Sequence, residues 1–422
     1  MANAFNKEER VAFEQILEGF QDALVLSRNV NVYSTDQAMM ERTNDTIWRP
    51  MPYIADSIDA AAGTDISASF KDFTQLAVPA TIGFNKAVPF SLTAKELRDQ
   101  LQEGRLGDAA KQKLASDINV AVMNVAANQG TLAVARTGAA SGFDDVAECE
   151  AIMNEQGVMD DARYLALSTR DYNGMASNLA ARQTLTGKPL TAYEKAFVGE
   201  VASFDTYKLD YANRIGANAA TVTIDTDGAN IDYVPAATST SVGGQINVDN
   251  RYQTVTVSTT TGVTAGDAFT IAGINAVHHI TKQDTGQPKT FRVISVDSAT
   301  TMTISPPIIS ASSTPTDAEA QYQNCVANSV SNTAAITFLN VAAASVNCFW
   351  HRDAIELLPG RYSVPGDAGA AVMRAATDQG IELVMTKQYD INTMKTKYRL
   401  DTLFGVAMVN PEMAGILLFG QS

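Results

Sequence analysis

A chain of 422 residues, 45% hydrophobic and 18% charged, has the apolar content of a core-forming protein and the length of about three domains, which excludes a disordered chain. Its 46 acidic residues against 31 basic ones give a formal charge of −15, and no run of Lys or Arg offsets it, so contact with nucleic acid is expected to be enclosure rather than grip. Cys149, Cys325 and Cys348 lack metal-ligand spacing and exclude a disulfide scaffold, pointing to a reducing compartment. The N-terminus lacks a signal-peptide core and no apolar run approaches the roughly 20 residues of a membrane span, so the protein is expected to be soluble and intracellular when made.

Lys7 to Val30 reads as a helix. Phe13, Ile16, Leu17, Phe20, Leu24 and Leu26 give it an apolar face, while Glu8, Glu9, Glu14, Glu18 and Asp22 line the remainder. The acids are either a solvated face or an arm that receives a basic partner. Met40 to Phe90 keeps no helical period and carries Pro50, Pro52, Pro79 and Pro89, which suits an extended loop or two long strands. Such a loop is uncommon in a compact monomer unless it serves a function or a neighbour.

Ser91 to Arg136 is the stretch around which the chain is organised. Thr93 and Glu96 have capping-box spacing, Gly104 and Gly107 are expected to break the helix, and Asp108 can start a second one. Leu114, Ile118, Ala121, Val122, Val125 and Leu132 then recur at three- and four-residue steps, marking a long spine helix. Beyond it, Phe143 to Glu155, Arg170 to Leu185 and Thr191 to Val201 read as helices, and Tyr164 to Ser168 as a buried strand.

At about Ala217 the composition turns to Thr, Val, Ser, Gly and Ile, and stays so to about Ala335. ATVTID, YQTVTVST, DAFTIAG, KTFRVISV and TMTISPPII are short alternating segments separated by turn residues, as in a small β-barrel or sandwich. Sequence of α+β type brackets them, so they read as an insertion. Gly366 to Ala376 is expected to be a turn and then a helix. Glu382 to Tyr389 and Lys395 to Leu403 read as paired strands, and the end of the chain as strand, turn at Asn410-Pro411, and a second apolar segment.

Catalytic patterns fail on inspection. His278-His279 with Asp284 is a poor metal set, because neighbours on a strand point to opposite faces. His351-Arg352-Asp353 matches a kinase catalytic loop only until position 358, where Leu358 stands in place of Asn. Gly187-Lys188 is followed by Pro189 and lacks the rest of a phosphate loop, and Gly138 to Gly142 is one residue too long for a nucleophile elbow. No enzyme, cofactor or metal site is expected.

Five stretches taken together resemble a known family. They are ERTNDTIWRPM at Glu41 to Met51, VMNVAANQGTL at Val122 to Leu132, VDNRYQTVTVS at Val248 to Ser258, GDAFTIAG at Gly266 to Gly273 and NCFWHRDAI at Asn347 to Ile355. In that order and spacing they resemble the major coat proteins of tailed double-stranded-DNA phages of the P-22 podovirus group. The resemblance implies an α+β fold of the Hong Kong 97 capsid type. On it, residues 1–32 would be an N-terminal arm, 33–90 an extended loop reaching a neighbouring subunit, 91–139 the spine of a peripheral domain, and 140–216 with 342–393 an axial domain. Residues 217–341 would be an inserted β-barrel, and 394–422 a last peripheral segment.

The implied function is a major capsid protein of the virion, made in the bacterial cytoplasm. It would assemble as pentamers and hexamers with scaffolding and portal proteins around double-stranded DNA, without a membrane. Glu8, Glu9, Glu14 and Glu18 are then candidate scaffold contacts, Asp249 and Arg251 candidate intersubunit contacts, and Gly104 and Gly107 candidate hinges in shell expansion. In the family, charges in the loop before Val248 are thought to bridge subunits. Here no charge lies between Asp232 and Asp249, so a bridge from the loop tip is not expected. The alternative is a β-barrel that binds a ligand or surface, displayed on an α+β platform.

Overall fold

In a computed structural model, Thr396, Tyr398 and Leu400 are buried while Lys395, Lys397 and Arg399 are exposed, the two-residue period of a strand with one face covered. The structure describes residues 7–33, 46–51, 63, 65–67, 70, 72–93, 100–181, 198–225, 231–310, 316–327, 333–362 and 370–422. The chain divides into two units. One comprises Met1–Ile47, Pro79–Met123 and Ile355–Ala407, the other Trp48–Val78, Asn124–Ala354 and Met408–Ser422.

The first unit is built on a six-stranded sheet in the order Asn31–Val32, Ile355–Pro359, Lys395–Met408, Glu382–Asp390, Ala371–Ala376, with Phe84–Thr93 also pairing with Lys395–Met408. Tyr398 lies opposite Phe90 and stacks on it, ring centroids 5.3 Å apart. The helix Lys7–Ala23 buries Phe13, Ile16 and Phe20. A Cβ at Gly19 would come within 2.4 Å of the Lys111 ammonium, so a glycine admits the spine helix side chain there. The Leu26 amide donates to Asn119 Oδ1 on the same spine at 3.2 Å.

The spine helix runs without interruption from Gln100 to Gln129, 30 residues or roughly 45 Å. It contributes residues to both units, and Leu114, Ile118, Ala121, Val122 and Val125 are buried as their spacing requires. Three expectations are corrected. The helix passes through Gly104 and Gly107, since neither glycine forces a break when both flanks favour helix. Ser91 to Thr93 belong to a strand whose pairing with Lys395–Lys397 overrides the capping pattern; Glu96 lies outside the described residues. The helix also stops at Gln129, so Leu132 sits on the strand Leu132–Ala135 instead. Gly130 marks the stop, where a Cβ would meet Ala126 O at 2.8 Å and the Ala414 backbone at 3.0 Å.

The second unit is built on two large sheets. Six strands follow the order Val222–Thr223, Ala335–Phe338, Ala268–Val277, Asp284–Val296, Thr301–Ser305, Gln253–Thr256, all antiparallel, with Cys325–Ala327 beside Ala268–Val277. The two ends meet: Ile224 bridges Val257, Asp225 N donates to Thr256 O at 3.0 Å and Ser258 N to Thr223 O at 2.9 Å. The sheet is therefore a closed barrel, filled by Val222, Val255, Phe269, Phe291, Met302, Ile304 and Phe338. Outside the barrel sheet stands the two-stranded hairpin Thr238–Ser241 and Gly244–Asn247, exposed along its length, with Val242 at the tip.

The other sheet has the order Leu132–Ala135, Ala414–Leu418, Asn347–His351, Arg163–Ser168, Phe204–Leu209, Glu200–Val201. Helices Phe143–Glu155 and Thr169–Ala180 contribute Val146, Cys149, Met153, Met175 and Ala176 to its core, beside Leu165, Leu167, Phe204, Phe349 and Leu417. The expected helix at Thr191 to Val201 lies mostly outside the described residues, and its last two residues are a short strand. Ala371–Ala376, expected as a helix, is an edge strand paired residue by residue with Glu382–Lys387; cross-strand pairing outweighs the helix preference of alanine.

Candidate functional site

Among the described residues no group of three or more His, Cys, Asp or Glu is placed to hold a metal. Cys149, Cys325 and Cys348 are free and buried; burial drives the Cys149 thiol far up and pushes those of Cys325 and Cys348 up to about 12, which disfavours the reactive thiolate. Asp284 accepts from Asn275 and from the Gly286 amide, and His279 faces Glu412, so the two do not share a site. His351 Nδ1 accepts the Asp353 amide at 3.2 Å, a local turn contact. The described chemistry is that of holding parts together.

One such buried contact joins barrel to platform inside the second unit. Lys289, Thr290 and Arg292 come from one barrel strand, and all three are buried. The Lys289 ammonium meets the Glu412 carboxylate, Thr290 Oγ1 donates to Thr131 O at 2.9 Å, and Arg292 donates to Ala127 O at 2.7 Å and Gly130 O at 3.4 Å. The arginine thus meets carbonyls that the end of the spine helix leaves without partners, at its negative pole. Desolvation lowers the Arg292 pKa to about 10, still charged at neutral pH. Burial alone would raise the Glu412 pKa, but Lys289 and His279 hold it below the ordinary value. This cluster was missed from sequence. Its one signal is two cations inside the apolar strand KTFRVISV.

The extended segment is also held. Gln321 Nε2 donates to Asp72 O at 2.9 Å, Tyr322 OH to Thr74 O at 3.2 Å, and Ala77 bridges Asp249.

The expected contact residues divide. Glu9 is buried and accepts from Lys387 and from Tyr398 OH, an internal tie between arm and sheet. Glu14 and Glu18 are exposed on the same helix; the Glu8 side chain lies outside the described residues. Arg251 is likewise engaged within the chain. Buried, it grips Asp249 at 2.6 Å and 2.9 Å and donates to Met408 O at 2.7 Å, while the Asp249 side chain stays partly exposed. Asp249 outweighs the burial of Arg251 and holds its pKa above the ordinary value.

A family model described as "P22 coat protein - gene protein 5" matches residues 1–420. The chain belongs to the P22 coat protein family. It is a structural coat protein, a major capsid component whose place is the virion capsid, and the ordered match over the whole chain does not favour a free-standing ligand-binding barrel. The family points to a structural rather than an enzymatic role.

Solved structures similar to this chain include three of note. The CUS-3 coat protein I-domain is 42% identical, over 28% of this chain and 96% of that one, with TM-score 0.23. A chain from Mycobacterium phage Che8 is 9% identical over 93% and 90% of the two chains, with TM-score 0.45. A chain from the satellite phage P4 procapsid, which includes the size determination (Sid) protein, is 8% identical over 96% and 90%, with TM-score 0.38. Among the described residues no helix is long and apolar enough to cross a membrane.

Proposed function

We propose that this coat protein assembles through a Hong Kong 97-type subunit into pentamers and hexamers, with scaffolding and portal proteins, to form an icosahedral shell that encloses double-stranded DNA. The observation that carries the reading is membership of the P22 coat protein family from residue 1 to 420. An acidic wall of charge −15 suits enclosure of a polyanion, because it does not adhere to what it contains. In this reading 1–32 with its exposed Glu14 and Glu18 faces a basic scaffold, 33–90 reaches a neighbour, 91–139 with 394–422 serves the periphery, 140–216 with 342–393 the capsomer axis, and 217–341 is the inserted barrel. Gly104 and Gly107 act as a compliant stretch of the spine during expansion, since mid-helix glycines weaken a helix without breaking it.

Electron microscopy of the purified chain mixed with its scaffolding protein is the test. Closed shells of uniform size are expected. Monomers and small oligomers alone, under conditions where scaffold binding is measured, would overturn the proposal.

A further inference from the structure

Four strands of the platform sheet in the second unit run the same way: Leu132–Ala135, Arg163–Ser168, Phe204–Leu209 and Ala414–Leu418. The sheet therefore has two distinct ends, separated by the six residues of Arg163–Ser168, roughly 20 Å. The ends differ in charge and in shape.

At the starting end the turn Met159-Asp160-Asp161-Ala162 projects. Met159 is 73% exposed, and the Asp160 and Asp161 side chains are 71% and 77% exposed. Asp353 emerges beside them, with its side chain 66% exposed. The projection is rigid for a stated reason. Arg163, fully buried beneath it, donates to Met159 O at 2.8 Å, Val158 O at 2.8 Å and Asn154 Oδ1 at 2.6 Å, and the Arg352 amide donates to Ala162 O at 3.0 Å. Ala162 is held at φ +48°, a conformation that alanine adopts only when its surroundings fix it.

At the finishing end is a cavity of about 330 Å³ lined by Arg170, Asp171, Arg214, Ala343, Ala344, Ser345 and Phe419. Arg214 stands opposite Ser345 in a short ladder, and Arg170 follows the strand end at the first turn of Thr169–Ala180. Both arginines are exposed, and neither has an acidic partner among the described residues. Asp171 is already engaged, by the Ser168 hydroxyl at 2.7 Å and Asn347 Nδ2 at 3.0 Å.

We propose that the acidic Met159–Asp161 turn of one copy seats in the Arg170–Arg214 cavity of the next copy. Its two carboxylates meet the two guanidiniums, and Met159 lies on Ala343, Ala344 and Phe419. The two surfaces sit on different ends of one sheet, so the contact is head-to-tail, the class that closes rings when the rotation per copy divides a full turn. A turn locked by Arg163 loses little freedom on docking, and arginine matches carboxylate geometry with paired donors. The excess acid of the chain makes a second copy the fitting occupant; a phosphate-bearing polymer would engage the arginines alone and leave the projecting turn without a role.

The inference rests on the self-assembly reading, and the test separates the two. Wild-type full chain, Asp160→Lys with Asp161→Lys, Arg170→Glu with Arg214→Glu, and the fourfold swap combining them are assembled with scaffold and followed by light scattering and electron microscopy. Circular dichroism melts check folding, and Asp160→Asn with Asp161→Asn serves if the lysines perturb the turn. Each reversal is expected to slow shell formation by about tenfold or more, and the fourfold swap to recover most of it. Reversals that assemble like wild type, or a fourfold swap no better than its parents, overturn the contact. Loss of assembly on reversing the arginines alone, unrescued by the swap, assigns them to a phosphate-bearing partner instead. Failure of wild type to form shells overturns the self-assembly reading itself.

Discussion

Lys289, on a barrel strand, and Glu412, in the C-terminal turn, form an ion pair almost sealed from water, with side chains 1% and 9% exposed. Such a pair gains little over an apolar contact but is costly to break, because the survivor is left charged in a dry site. Glu412→Gln is expected to lower unfolding free energy by about 3–5 kcal/mol. Lys289→Met combined with Glu412→Leu should recover most of the loss. Urea denaturation of the two variants is the measurement, and a double variant as unstable as the single one would contradict the account.

The same cluster makes stability depend on acid. Burial lowers the His279 pKa from 6.5 to about 4, so between those values the unfolded chain takes up a proton that the folded chain refuses. The stabilisation is complete above pH 6.5 and is lost as pH falls toward 4, by about 3 kcal/mol across the window. Glu412, held below its ordinary value, adds a further loss below pH 4.5. His279→Phe should flatten the upper part of the profile in urea midpoints taken from pH 7 to pH 4; an unchanged slope would assign the dependence elsewhere.

On the arm helix, burial separates two roles. Glu9→Ala removes the partner of Lys387 and Tyr398 and is expected to cost about 2–3 kcal/mol. Glu14→Lys with Glu18→Lys touches only solvent-exposed positions and should leave the melting temperature unchanged while weakening scaffold binding severalfold. Calorimetric titration with scaffolding protein reads both variants.

Gly104→Ala with Gly107→Ala should stabilise the spine by about 1 kcal/mol per site, because each replaces the weakest ordinary helix former with the best. Precursor shells are expected to form normally and expand more slowly. Heat-driven expansion followed by gel mobility checks this, and unaltered expansion would remove the hinge role.

Gly415 admits no side chain. A Cβ there would lie 2.5 Å from both Leu132 O and Phe349 Cζ. Gly415→Ala is expected to abolish soluble expression, whereas Gly216→Ala, where nothing lies within 4 Å of the added carbon, should express as wild type.

What could be read from sequence followed the strength of local pattern. The barrel strands, the helix Phe143–Glu155 and the hairpin of Glu382–Asp390 with Lys395–Met408 were legible because alternation or helical period survives in each without its neighbours. The states of Ser91–Thr93 and Ala371–Ala376 are not legible locally, because each is set by a partner strand, the first near Lys395–Lys397 and the second at Glu382–Lys387. The site residues were harder. Nothing local distinguishes buried Glu9 from exposed Glu14, and the meeting of Lys289 with Glu412 spans 123 residues. The two ends of the platform sheet acquire opposite character only once Arg163–Ser168 is known to be a strand.

The barrel enters and leaves its host through one doorway. Val222 lies opposite Ile336, and lower on the same stem Ile215 lies opposite Ala344, so the chain returns to where it departed. A segment with that geometry can vary in length with little disturbance to the chain around it, since the host's own ends stay adjacent. Lys289, Thr290 and Arg292 then tie the barrel down at a second place. They reach back to the end of the spine helix and to the C-terminal turn, so a change in one barrel strand is felt in its host.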